Sequence, residues 1–252
     1  MRIARFVTDG NPRYGVLDED SAELVVLKSD PLFAGFDTTG ERVPLDSARL
    51  LSPVIPRSKV IGLARSYRTD EMPDPEPVLF IKPNTSVIGP DDPVVLPRWS
   101  SEVWYEAELA VVIGRMGKDV PVERADEIIF GYTAANDYTA KDQLAPGTSW
   151  TRAKAWDTST PIGPYLALDL EPDDLAVRAR VDGGLTQDGR TSQLVSTVRE
   201  IVAQVSEVFT LLPGDVVLTG TPAGNGIVTE GQRVEVEVDG IGSFTNPILR
   251  RD

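Results

Sequence analysis

The stretch Trp104-Tyr105-Glu106-Ala107-Glu108-Leu109-Ala110-Val111-Val112-Ile113-Gly114 decides how the chain is read. From Glu106 to Gly114 it has the length and apolar content of a β-strand closed by glycine. Residues i and i+2 of a strand point to the same side. Glu106 and Glu108 therefore stand side by side, with Ala110 and Val112 continuing their face towards a core. Two carboxylates this close repel unless one takes up a proton or a cation sits between them. A third carboxylate, Asp137, ends the apolar segment Gly131 to Asp137. An all-oxygen trio suits a hard ion such as Mg2+, Mn2+ or Ca2+. The bland alternatives stay open: exposed strands often carry paired glutamates, and Asp137 suits an N-cap or an Asx turn.

The chain contains no histidine and no cysteine. Zinc sites of the usual kind, thiolate catalysis, disulfides and a Ser–His–Asp triad are excluded. The net charge of −14 argues against nucleic acid, which needs a basic surface. No apolar run approaches the roughly 20 residues that span a bilayer, and the N-terminus lacks the apolar core of a secretion signal. A cytoplasmic protein without membrane or nucleic-acid partners is expected.

Outward from the central strand, the pattern is rich in strands and poor in helices. RIARFV, YGVLD and ELVVLKS alternate as short strands, predicting a small N-terminal β domain over 1–55. Two prolines near Pro56 lead into the main domain, 56–252. Val120 to Phe130 is expected as a short helix with Pro121 in its first turn. A longer helix is expected from about Ser192, with Leu194, Val198, Ile201, Val202, Val205, Val208 and Phe209 on the 3.6-residue period. Leu212-Pro213-Gly214 stops it. Leu175 to Val181 alternates as a half-buried strand, and Val234, Val236 and Val238 run into a Gly240-Ile241-Gly242 turn. Strands and helices do not alternate regularly, so a mixed β architecture with some α (α+β) is favoured over a Rossmann fold or a TIM barrel.

The turn Gly220-Thr221-Pro222-Ala223-Gly224-Asn225-Gly226 follows the strand VVLTGT. Such a turn can cradle an anion with backbone N–H groups, but it lacks the G-K-[ST] end of a Walker motif. Lys154 is either a solvated loop lysine or a cation for a substrate oxyanion.

EAELAVVIGR, FGYTAANDYTAKDQ, WTRAKAWDTSTPIGP, LLPGDVVLTGTPAGNG and GIGSFTNPI, with FIKPNTSVIGP upstream, together closely resemble the fumarylacetoacetate hydrolase family over about residues 57 to 250. The N-terminal piece resembles that of bacterial 2-hydroxyhepta-2,4-diene-1,7-dioate isomerase-like members. The resemblance implies a β-roll or sandwich core, a homodimer, and Mg2+ or Mn2+ held by Glu106, Glu108 and Asp137. It implies an enzyme acting on a 1,3-dicarbonyl or 2-oxo acid through a metal-bound enolate: an isomerase, tautomerase, decarboxylase or C–C bond hydrolase. Lys154 matches the family's site lysine, Thr221 the threonine that holds a substrate carboxylate, and Lys82 a lysine near the metal. Gly220, Lys141 and Tyr138 are further candidates for substrate contact.

The family usually carries G-x-N-Y-x-x-H-x-x-E, whose His–Glu dyad activates water. Here the segment is Gly62-Leu63-Ala64-Arg65-Ser66-Tyr67-Arg68-Thr69-Asp70-Glu71. Glu71 is kept, but the histidine position is Arg68, which stays protonated and accepts no proton from water. Arg68 is expected to pair with Glu71 or to bind a substrate carboxylate; Glu71, Tyr67 or Tyr138 could move protons. Rival expectations are a repurposed cyclase or lyase of a specialised biosynthetic pathway, with Trp104, Trp150 and Trp156 as pocket walls, and a non-catalytic small-molecule-binding relative.

Overall fold

A computed structural model describes residues 1–69, 76–147 and 149–250. The fold is mostly β with few helices, as expected. Its largest sheet runs, in spatial order, through Thr38–Pro44, Glu23–Leu27, Arg13–Asp18, Arg2–Val7, Thr160–Ala167, Ile129–Asn136, Ala107–Ile113, Val216–Leu218, Val60–Ala64 and Val78–Lys82. A five-stranded sheet holds Gly184–Arg190, Ala176–Val181, Arg233–Val238, Gly242–Arg250 and Val94–Leu96. A third, small sheet joins Thr139–Ala140, Val103–Tyr105 and Gly226–Ile227. The first strand pairs with the strand at 160–167 (Arg2 opposite Ala167, Ile3 opposite Leu166). Residues 1–55 are thus joined to the rest by sheet hydrogen bonds.

Every residue of Ala107–Ile113 is buried. Leu109, Val111 and Ile113 enter the main apolar cluster, which also takes side chains from the five-stranded sheet and the long helix. Ala110 and Val112 enter a second cluster on the opposite face, with Ile3, Val60, Leu166 and Val216. Burial on both faces explains the unbroken apolar run LAVVI. Full burial of each Leu, Val or Ile contributes roughly 1.5–3 kcal/mol, so this strand is among the best-fixed parts of the molecule.

Two helix expectations need correction. The long helix spans Val198–Val208, six residues later than the periodicity suggested. Its N-cap is Thr197, which accepts from the Glu200 N–H while Glu200 Oε2 accepts from the Thr197 N–H (2.7 Å). Leu194 lies on the helical stripe but belongs to an extended segment bridged to Tyr67, and Phe209 is the C-cap. The other expected helix is a 3-10 turn, Val122–Glu127, capped by Pro121. It buries Ala125, and Ile129 already begins the next strand. Among the described residues, no helix is long and apolar enough to cross a membrane.

Candidate active site

Antiparallel register assembles the acidic trio. Ala107 pairs with Asn136 and Glu108 with Ala135, which brings Asp137, one residue past its strand, beside Glu106. The Asp137 N–H donates to Glu106 O (2.9 Å). The Glu106 N–H donates to Asn136 Oδ1 (2.9 Å). Ligand-type oxygens of Glu106, Glu108 and Asp137 lie within 4.8 Å of one another, and all three residues are buried.

Two lysines face this trio. Lys154 closes the short helix Thr151–Lys154 and donates from Nζ to Glu106 Oε2 (2.6 Å) and Asp137 Oδ2 (2.5 Å). Lys82 closes the strand Val78–Lys82; its Nζ donates to Asp137 Oδ1 and to Ser159 O (3.1 Å). Burial opposes the charge on Lys154, but Asp137, Glu106 and Glu108 outweigh it and hold the ammonium above its ordinary pKa. Burial wins at Lys82, against the pull of Asp137 and with Lys154 adding, so its pKa is lowered. Burial opposes ionisation of Asp137, yet Lys154 and Lys82 prevail and keep its pKa low.

Glu108 is the carboxylate left over. It is 1% exposed, and its Oε2 accepts the Gly220 N–H (2.7 Å). Burial first, then Asp137, with Glu106 adding and Lys154 opposing, drives its pKa well above the carboxylate range. An unpaired carboxylate in such a place is costly. The donor set, three carboxylates with one lacking a cationic partner among the described residues, fits a hard divalent ion.

Above the trio opens a cavity of about 1110 Å³, lined on its floor by Glu106, Glu108 and Lys154. Its walls include Arg65, Tyr67, Arg68, Lys141, Trp150, Thr221 and Asn225. Asn225 Nδ2 reaches Glu106 Oε1 at 3.4 Å. Lys141 Nζ lies 3.7 Å from Glu106 Oε1 and 5.0 Å from the Trp104 ring centroid. Among the described residues the buried Tyr67 hydroxyl has no hydrogen-bond partner, and burial, with the charge of Glu108 adding, raises its pKa. Arg65 is exposed on the wall, with its backbone in the left-handed region (φ 58°). Ser66 beside it is pinned by Oγ donating to Thr219 O (2.6 Å) and by its carbonyl accepting the Val195 N–H (2.8 Å). This fixed, strained backbone aims a cationic side chain at the cavity, a pattern common at functional sites.

Several expected roles change. Gly220 was expected to touch substrate, but its N–H is taken by Glu108: the anion cradled by the glycine turn is the protein's own carboxylate. Gly220 sits at φ +97°, and a Cβ there would lie 1.8 Å from Ser66 Oγ. Tyr138 does not line the cavity; it is fully buried in the main apolar cluster. Neighbouring residues of an extended chain point oppositely, so placing Asp137 at the site turns Tyr138 away. Arg68 lines the cavity, and its guanidinium donates to the carbonyls of Leu194 and Val195 (2.9 Å for the latter), a tether not expected from the sequence. Glu71 lies outside the described residues. Thr221 lines the cavity with its hydroxyl donating to Ala107 O (2.7 Å). Of the three tryptophans, Trp150 is a wall, Trp156 packs on the core, and Trp104 donates from Nε1 to Glu102 (3.0 Å).

Asn136 and Gln187 were not singled out from sequence. Asn136 is a polar residue ending an apolar strand, a detectable signal. Gln187 lies in the polar strand Gly184–Arg190, most of it exposed, where nothing marks one amide as buried.

Residues 60–249 match the model of the fumarylacetoacetate (FAA) hydrolase C-terminal family, and residues 1–53 that of the Rv2993c-like N-terminal family. The chain is 41% identical over 263 residues to protein Rv2993c of Mycobacterium tuberculosis, covering 100% of this chain and 99% of that protein. It is 38% identical over 288 residues to the mitochondrial oxaloacetate tautomerase fahd2 of Xenopus laevis, covering 99% of this chain and 90% of that protein. The crystal structure of 5-carboxymethyl-2-hydroxymuconate delta-isomerase from Mycobacterium smegmatis is similar with a TM-score of 0.93 at 42% identity, covering 100% of each chain.

Proposed function

The chain belongs to the fumarylacetoacetate hydrolase family, and from that premise we propose that it is a divalent-metal-dependent tautomerase or isomerase of a small 2-oxo or 1,3-dicarbonyl acid. The observation that carries this is the buried trio Glu106, Glu108 and Asp137, two of which, Glu106 and Glu108, line the floor of a large cavity, with Glu108 lacking a cationic partner among the described residues. These three residues would hold Mg2+ or Mn2+, with Ca2+ compatible with the same oxygens. A bound cation supplies Lewis-acid polarisation of the substrate's oxo group.

The chain's own residues do the rest. Lys154 Nζ keeps a positive charge beside Glu106 and Asp137, where it stabilises negative charge developing on a substrate oxygen. Arg65 and Lys141 present cations to the cavity for substrate carboxylates. Tyr67 Oη, kept protonated by burial beside Glu108, can give a proton to the substrate at the floor and take it back. Arg68, protonated and tethered to two carbonyls, serves no base function. Proton movement within the substrate is therefore favoured over attack by water. Glu71 is proposed as a further proton carrier on its position in sequence.

The proposal extends to a cytoplasmic homodimer built from an N-terminal unit, 1–55, and a catalytic unit, 56–252. Light scattering on the purified protein would read about twice the chain mass of 27.4 kDa. The reaction is tested by following enol absorbance of oxaloacetate with and without Mg2+. Metal-dependent acceleration of tautomerisation, with little cleavage of acylpyruvates, is expected. Hydrolysis faster than tautomerisation would overturn the choice of reaction. Arg68→His is expected to raise acylpyruvate hydrolysis, since general-base assistance is worth about 10²–10⁴-fold.

A further inference from the structure

The strand carrying the glutamates loses its neighbour at Ala107. On that edge Ala110 pairs with Leu218, and the Thr219 N–H and hydroxyl donate to Leu109 O (3.1 and 2.9 Å). The chain then peels away into the 220–226 turn. Ala107, which joins Glu106 to Glu108, has no strand beside it there.

Two side chains fill the gap. The Ala107 N–H donates to Gln187 Oε1 (3.0 Å), and Ala107 O accepts from Thr221 Oγ1 (2.7 Å). Gln187 Nε2 donates to Thr221 Oγ1 (2.9 Å), which closes a ring, and to Pro222 O (2.7 Å). Gln187 is fully buried, so its amide is committed to this one task. It arrives from the five-stranded sheet, and glycines permit the approach. A Cβ at Gly189 would lie 2.3 Å from Pro222 Cβ, and one at Gly224 2.3 Å from Thr186 O.

Rotation of the Ala107 backbone would swing Glu106 and Glu108 apart, because each hangs from a neighbouring peptide group. The same ring accounts for the committed hydroxyl of Thr221. We propose that Gln187 is a positioning residue for the metal: with Thr221 it clamps the Ala107 peptide and so keeps both glutamates turned to one cation. This rests on the metal-dependent function proposed above. Outer-shell partners of metal ligands typically contribute 10–100-fold in affinity.

The test is a Mn2+ titration of the chelator-stripped, full-length protein, with free Mn2+ read by electron paramagnetic resonance and folding checked by circular dichroism. Gln187→Leu and Thr221→Val are each expected to weaken Mn2+ binding about 10–100-fold. Thr221→Ser, which keeps the hydroxyl, is expected to bind as the parent does. The double variant should bind about as weakly as the weaker single one, because a ring opened once is open. Thr186→Ala, on the same hairpin but bonded to Ala179 O (3.1 Å), should bind normally. Variants that melt lower yet bind Mn2+ unchanged, or losses that simply add, would overturn the clamp. Should Gln187→Leu not fold, equal binding by Thr221→Val and Thr221→Ser overturns it alone. A parent protein that takes up no Mn2+ overturns both the clamp and the metal-dependent function; normal parent binding with unaffected variants overturns the clamp only.

Discussion

At and beneath the cavity floor, Glu106, Glu108, Asp137, Lys82 and Lys154 are all buried; the two lysines pair with Asp137 and Glu106, and Glu108 has no ion-pair partner among the described residues. At the rim, Arg65 and Arg68 are exposed, and Arg68 donates to the main-chain carbonyls of Leu194 and Val195. A paired floor residue such as Asp137 cannot change without stranding a buried charge, which is strongly destabilising. A rim residue can change at the cost of a solvated contact. The family resemblance implies the usual residues at the floor and an arginine at the usual histidine position of the rim. On the proposed function, holding an ion and choosing a reaction fall to different parts of one cavity.

The largest effect should come from breaking the floor. Asp137→Ala strands Lys82, leaves Lys154 with Glu106 alone, and is expected to cost about 3–5 kcal/mol in urea unfolding, with turnover lost. A variant as stable as the parent would mean that the floor charges are not interdependent. Gly220→Ala comes next: the added Cβ meets Ser66 Oγ in a left-handed backbone and displaces the N–H that Glu108 accepts. Destabilisation of about 2–3 kcal/mol, with weaker metal binding, is expected by thermal melting and Mg2+ calorimetry.

Rim changes should be smaller and of another kind. Arg65→Ala is expected to raise KM for a dicarboxylic 2-oxo acid about tenfold, near 1.4 kcal/mol, with metal affinity unchanged. An effect on kcat alone would move Arg65 from binding to chemistry. Arg68→Ala removes bonds to the Leu194 and Val195 carbonyls and should cost about 1 kcal/mol. Its Mg2+ affinity should equal the parent's; a large loss would erase the distinction between floor and rim.

The floor was more legible in sequence than the rim. Glu106 and Glu108 are local in strand spacing, and the family resemblance supplied Asp137, Lys154 and Lys82. Strand periodicity also found the N-terminal strands and the hairpin at 233–250. The helix start was misplaced because Leu194 falls on the helical stripe by coincidence, although the Thr197–Glu200 capping box marked the true start. Gly220 was misjudged because sequence does not say whether a cradled anion is substrate or side chain. Gln187 was invisible: its partners are 34, 35 and 80 residues away, and only folding shows that Ala107 lacks a neighbouring strand.

The central claim is that the three buried carboxylates form one divalent-cation site on which the chemistry depends. Its most direct test is calorimetric titration of Mg2+ into the chelator-stripped parent and into Glu108→Gln. Predicted are one site per chain in the parent, none in the variant, and oxaloacetate tautomerisation that returns only as the parent's site fills. No saturable binding by the parent, or equal binding by Glu108→Gln, would contradict it.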